Sequence, residues 1–269
     1  MKSIRGGQGL GDALYVQAVA RHIIATRGER LRVCTKWPDV FKPLGDAVEI
    51  APFTRQGIDY LAHYSMRKQL VGTDQFQDCC LASGITEHVD LRLDWTLEDV
   101  GLAAEVRAPG KPVVLVQLPR APMDRTDGFG SELLPNCQRI QDAIDLIGER
   151  ATKVLIGSGE ALYQFRGIDI DLANKTTVAQ VLDLASVAGG FLGYVSFLVP
   201  LAESFGKPGL FIWSRRGLKS GHPYIRAITP TKILHGKLSR AAIDDCSPQE
   251  MSDAVEVFMG GLRQPIVGA

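Results

Sequence analysis

The sequence of 269 residues has only five cysteines, Cys34, Cys79, Cys80, Cys137 and Cys246, and none of them shares a CxxC spacing. An odd, scattered set of this kind excludes a disulfide framework and a structural zinc site, and it fits a reducing compartment. His22, His63, His88, His222 and His235 show no metal-ligand spacing either. Net charge is missing as well: 30 basic and 30 acidic side chains cancel to a formal value of +0. No global field draws the chain to nucleic acid or anionic lipid. The longest apolar-rich stretch, Val187 to Val199, is broken by glycines and too short to span a bilayer. The opening MKSIRGGQGLGD has no signal-peptide core. Trp37, Trp95 and Trp213 lie too far apart to form a stacking track for single-stranded nucleic acid. A cytoplasmic protein with no membrane span and no metal is expected.

What is present is alternation. Short strands are predicted at Lys2–Arg5, Arg30–Thr35, Ala47–Ala51, Val113–Val116, Lys153–Ile156, Gly190–Gly193 and Gly209–Trp213. Helical spacing is predicted over Asp12–Thr26, Asp59–Val71, Asp74–Ser83, Asn136–Gly148, Thr177–Val187 and Ser196–Phe205. A short helix at Thr96–Leu102 would be opened by the pair Thr96 and Asp99. Pro38–Leu44 has room for a helical turn or two. Apolar runs such as VVLV suit strands buried on both faces of a parallel sheet. The dense Ala108-Pro109-Gly110-Lys111-Pro112 reads as a domain break. The expectation is α/β: two Rossmann-like, doubly wound domains, 1–108 and 109–269, facing a cleft.

The most informative local feature is Gly6-Gly7-Gln8-Gly9-Leu10-Gly11-Asp12, between the first strand and the first helix. It fits no frame of the dinucleotide fingerprint G-x-G-x-x-G, and the second strand ends in Thr35-Lys36 rather than an acidic residue. No Gly-Lys-Ser/Thr follows to make a phosphate loop. A tight strand-to-helix turn accounts for the glycines; a carboxylate at a helix start adds a candidate base. The helix dipole is expected to keep Asp12 ionised.

Gly9-Leu10-Gly11-Asp12-Ala13-Leu14 followed by a long helix resembles the amino terminus of the heptosyltransferase-like glycosyltransferases, the ADP-heptose:lipopolysaccharide heptosyltransferase superfamily. Val178 to Pro208, with LDLASVAGGFLGYVSFLVPLAESFGKP, looks like that family's donor-domain segment. The resemblance implies a GT-B fold and an inverting transfer from a nucleotide-sugar to an acceptor hydroxyl, without cofactor or metal. Asp12 would be the general base, with Gly9 and Gly11 shaping the turn on the acceptor side. Ser196 and the amides opening its helix would cradle the diphosphate. A terminal helix from Pro248 to Leu262 would cross back onto the first domain.

The sequence adds Arg120 and Arg125, after the first strand of the second domain, and Gly157 and Glu160, after the next. Arg215, in the donor-rich stretch Ser214 to His222, is a further phosphate candidate. Each of these also fits an ordinary loop or cap residue. The chain departs from the family where Val195 and Pro200 replace its usual acid and histidine. An epimerase-like nucleotide-sugar enzyme and a non-catalytic nucleotide or partner binder therefore stay open, and the acceptor is not readable.

Overall fold

The computed structural model describes residues 1–64, 74–120, 136–214, 240–243 and 245–262. The first half opens with β1 (Lys2–Arg5), α1 (Leu10–Arg27), β2 (Leu31–Cys34), a 3-10 stretch Pro38–Ala47, β3 (Val48–Ala51), β4 (Tyr60–Leu61) and α2 (Gln75–Ala82). It is followed by α3 (Val100–Arg107), β5 (Val113–Gln117), α4 (Cys137–Ile147), β6 (Thr152–Ile156) and β7 (Ile170–Asp171). The rest is α5 (Val178–Val187), β8 (Gly190–Tyr194), α6 (Leu198–Ser204), β9 (Gly209–Trp213), β10 (Arg240–Ile243) and α7 (Pro248–Gly261).

Two parallel sheets result, ordered β3-β2-β1-β4 and β10-β9-β8-β5-β6-β7. Each reverses its direction of growth once, between β1 and β4 in the first and between β5 and β8 in the second. These reversals are where crossovers leave to opposite faces and a crevice opens at the strands' carboxyl ends. The expected doubly wound α/β architecture is what the chain adopts.

Burial explains the elements. Every residue of β5, β6, β8 and β9 is buried, as a sheet covered on both faces requires. Helix α1 is buried on nearly all sides from Ala13 to Ala20, so it lies inside the molecule rather than on its rim. It packs against α2 on one flank and α6 on another. Lys207 of the Gly-Lys-Pro triplet sends its ammonium to the carbonyls of Ala185, at 2.8 Å, and Ser186, completing the end of α5.

Three expected elements come out differently. Asp59–Val71 is not helical at its start: Tyr60 and Leu61 pair with Ile4 and Arg5, with Tyr60 buried and Leu61 exposed, and residues 65–73 lie outside the described set. Residues Thr96–Asp99 precede a helix rather than form one, and Asp99 caps α3 by accepting from the Leu102 amide at 2.9 Å. The terminal helix α7 does not lie across the first half. Its buried Met251, Val255 and Phe258 join Ile140, Ile144 and Ile147 of α4 in the core of the second sheet.

The cause of the second difference is Asp183 of α5, which is 1% exposed. Its carboxylate accepts from Trp95 Nε1 at 2.7 Å, the Glu98 amide at 2.8 Å and the Asp99 amide at 2.9 Å. Those bonds hold residues 95–99 out of a helix and deliver α3, read above as part of the first domain, onto α5 and the second half. Asp183→Ala leaves three donors without their acceptor, each costing about 1–3 kcal/mol when buried. The variant is expected to lose roughly 3 kcal/mol, read as a lower urea midpoint together with a changed Trp95 emission. An unchanged midpoint would show that the connecting segment docks without this carboxylate.

Candidate active site

The Gly6–Asp12 turn leaves β1 at the reversal point of the first sheet, and Ala62–Tyr64 leave β4 beside it. Gly9 is the N-cap of α1, so Asp12 is the third helical residue rather than the cap. Its Oδ2 accepts from the Gly9 amide at 2.9 Å, closing the turn over Gly7, where any Cβ would run into the carboxylate. Two residues that follow β2 tie the turn down. Lys36 Nζ donates to Gln8 Oε1 at 2.7 Å and Trp37 Nε1 to the Gln8 carbonyl at 2.8 Å.

Burial, not the helix dipole, governs Asp12. Desolvation pushes its carboxyl above the ordinary aspartate value, against the opposing pull of the Gly9 amide, the charge of His63 and the Tyr64 hydroxyl. A carboxylate made more basic in this way is better suited to accept a proton than one held firmly ionised.

The second sheet's reversal point lies between β5 and β8, and there the chain places Gln117 and Tyr194–Ser196. Ser196 Oγ donates to Gln117 Oε1 at 2.7 Å and accepts from the Leu198 amide at 3.1 Å. Gln117 is 4% exposed and also receives the Tyr194 amide at 3.4 Å. Gln117 carries no signal in the sequence, because a single polar residue ending an apolar strand has no motif.

Ser196 thus lies outside α6, and its hydroxyl proton is committed. Two further amides of the first turn are bonded as well. Val199 N–H reaches the Ser196 carbonyl at 3.3 Å, Leu201 N–H reaches that of Phe197 at 3.0 Å, and Pro200 has none to offer. Of the amides that open α6, those of Leu198, Val199 and Leu201 thus have acceptors within the protein, so an anion cradle there would draw on the others.

The remaining loops of this edge are laced together. Arg120 bridges Ala161, the Leu162 amide reaches the Pro119 carbonyl at 2.8 Å, and the buried Tyr194 hydroxyl bonds to the Arg120 backbone. Gly157, at φ +131°, holds a conformation that L side chains rarely adopt. Asn174 clamps the turn that follows, accepting from the Gly159 amide at 2.7 Å. Arg120, Gly157 and the exposed Glu160 therefore share one rim with Ser196. Arg125 and Arg215, with the Ser214–His222 stretch beyond its first residue, lie outside the described residues.

The two reversal points touch. A Cβ at Gly11 would come within 3.1 Å of Pro200 Cγ and 3.3 Å of Phe197 Cα, so α1 and α6 meet at their first turns. The proline that replaces the family's histidine is the atom group against Gly11. Among the described residues no group of three or more histidine, cysteine or acidic side chains is placed to hold a metal ion. No helix among the described residues is long and apolar enough to cross a membrane.

No protein-family model matches the sequence, and no curated protein matches it. Solved structures do. The ADP-heptose lipopolysaccharide heptosyltransferase II of E. coli aligns over 96% of this chain and 98% of its own, with TM-score 0.59 at 14% identity. A glycosyl transferase family 9 protein from Veillonella parvula aligns over 96% and 97%, with TM-score 0.68 at 10% identity. The E. coli heptosyltransferase WaaC, solved with ADP, aligns over 97% of each chain, with TM-score 0.52 at 11% identity. At these identities the likeness establishes the fold: the chain has the two-sheet architecture of the heptosyltransferases.

The raised carboxyl of Asp12 makes a stability prediction. An acid whose folded pKa lies above its unfolded value binds more protons when folded, so its contribution to stability falls as pH rises from the ordinary aspartate value through the folded pKa. Asp12→Asn keeps an oxygen for the Gly9 amide and removes the charge. Relative to the parent, the variant should gain stability as pH is raised across that window, and equal its parent in melting temperature or exceed it at pH 7. A stability difference independent of pH would contradict the desolvated carboxylate.

Proposed function

We propose that this protein is a glycosyltransferase that moves a sugar from a nucleotide-sugar donor to an acceptor hydroxyl, with inversion and without a bound metal. The observation that carries the reading is the desolvated Asp12 carboxylate at one sheet's reversal point, directly beside the reversal point of the other. The structural neighbours, among them a heptosyltransferase II and a heptosyltransferase solved with ADP, support it.

In this reading the acceptor hydroxyl attacks the anomeric carbon and Asp12 takes its proton. The bond from that carbon to the diphosphate oxygen breaks, and the nucleoside diphosphate leaves with the electron pair. Charge that builds on the leaving group needs donors at the second half's rim. Arg120 and the loop Gly157–Glu160 are proposed to supply contacts there, with Arg215 as a further cation. Ser196 is proposed to act through Gln117, fixing the turn that the donor meets. Gly9 and Gly11 shape the acceptor side. The loss of the family's acid and histidine to Val195 and Pro200 points to a donor other than ADP-heptose. It also favours one alternative, a protein that binds a nucleotide and transfers nothing.

A thermal-shift panel of UDP, ADP, GDP and thymidine diphosphate with their sugar derivatives separates these readings. A ligand at a hundred times its dissociation constant adds about 2.7 kcal/mol, a shift of several degrees for a chain of this size. Ser196→Ala should weaken that ligand modestly. No response to any nucleotide would remove the donor site, and a response without sugar release or transfer would leave only the binding protein.

With donor and acceptor in hand, Asp12→Asn should lower transfer by about 10²–10⁴-fold, the usual worth of a general base, while donor binding persists. Transfer within about threefold of the parent, far below that range, would place the base elsewhere. Activity should survive EDTA; loss restored by magnesium or manganese would overturn the metal-free mechanism.

A further inference from the structure

The loop after β6 reads Gly157-Ser158-Gly159-Glu160, a composition that holds no single shape by itself. Both glycines have positive φ, +131° at Gly157 and +109° at Gly159. Glycine loses more conformational freedom on ordering than any other residue, so such a loop needs bonds from outside it. They come from two sides. On one side Gly157 lies so close to Leu118 that a Cβ would come within 2.9 Å of the leucine Cβ. Gly159 lies against the Arg120 side chain, where a Cβ would be 3.6 Å from Cδ. On the other side a single residue makes three hydrogen bonds. The Asn174 amide donates to the Gly157 carbonyl at 2.8 Å, Oδ1 accepts from the Gly159 amide at 2.7 Å, and Nδ2 donates to the Gly159 carbonyl at 3.2 Å.

Asn174 is set up for this by its own backbone. Among the described residues it is the one non-glycine with positive φ, at +60°, a left-handed conformation that asparagine tolerates. The Lys175 amide closes the turn on the Leu172 carbonyl at 3.0 Å. The Leu172 amide reaches the Leu155 carbonyl at 3.0 Å, so the turn is fastened to β6, the strand that leads into the loop. Asn174 is itself exposed; no packing against its side chain dictates an asparagine there, whereas the three bonds do.

We propose that Asn174 is the positioning residue of the donor loop. By taking both backbone groups of Gly159 it fixes Glu160 and the surface against which Arg120 rests, and so sets the affinity for the nucleoside diphosphate rather than the rate of transfer. The inference rests on the reading of Arg120 and Gly157–Glu160 as donor contacts. Ordering that is complete before a ligand arrives is not subtracted from its binding free energy. Without the side-chain bonds, two glycines would order only on binding, and the donor's dissociation constant would rise by that amount. The proton transfer assigned to Asp12, on the other half, would proceed as before.

Asn174→Gly keeps the left-handed backbone and removes both side-chain bonds; Asn174→Ala removes them and strains the turn as well. In the whole protein, UDP, ADP, GDP and thymidine diphosphate are titrated calorimetrically into the parent, both variants and Arg120→Ala. The diphosphate that the parent binds most tightly should bind Asn174→Gly about threefold to tenfold more weakly, as for the loss of one hydrogen bond, with a less favourable entropy. Donor KM should rise by the same factor at unchanged kcat, and the melting temperature should stay at the parental value. Without ligand, the Gly159 amide should exchange with deuterium faster. Asn174→Ala should show the same loss of affinity and a lower melting temperature.

Parental affinity in Asn174→Gly overturns the proposal. So does a loss confined to Asn174→Ala, which would make the left-handed backbone, not the clamp, the cause. Affinity lost in Arg120→Ala but kept in Asn174→Gly removes the proposal alone. A parent that binds none of the four diphosphates, or an Arg120→Ala variant that binds as the parent does, removes the reading of this rim as the donor site, and the proposal with it.

Discussion

The first turns of α1 and α6 approach until Gly11 lies against Pro200 and Phe197, and the rest of the arrangement follows from that contact. A single Cβ at position 11 would have to displace a proline ring and a backbone Cα, neither of which has a flexible end to give. With glycine there, the reversal points of both sheets meet, and residues from both halves merge into one core that includes Ile4, Val16, Leu115 and Leu198. Asp12, one position on, is desolvated, and that raises its carboxyl.

The connection between the halves serves the same contact. Asp183 gathers Trp95 and the amides of Glu98 and Asp99, so the chain crosses from the first sheet to the second already fastened to α5. Tertiary bonding here overrides local preference: Thr96 and Asp99 have the right spacing for a capping box, yet the amides that such a helix would use are taken by a carboxylate 84 residues away.

Much of this was legible in the amino acids. The apolar runs VVLV and GLFIW named the central strands of the second sheet, and GGQGLGD named the turn at the first sheet's reversal point, because period and glycine content are local signals. What escaped has long-range causes. Tyr60–Leu61 pairs as a strand only because β1 offers it an edge. Gln117 matters through Ser196, 79 positions away. The commitment of the α6 amides needed the positions of Ser196 and Phe197 carbonyls, which no spacing rule supplies. The place of the terminal helix is set by Met251, Val255 and Phe258 meeting the apolar surface of α4, a contact between distant positions.

Gly206-Lys207-Pro208 looks, on the page, like part of a reaction centre. In three dimensions Lys207 closes the carboxyl end of α5, opposite in polarity to any phosphate duty, and Pro208 leads straight into β9. Its charge is spent on two carbonyls of its own chain. In this chain the triplet is a brace between a helix and the next strand, and its lysine is fixed by the fold before any ligand arrives.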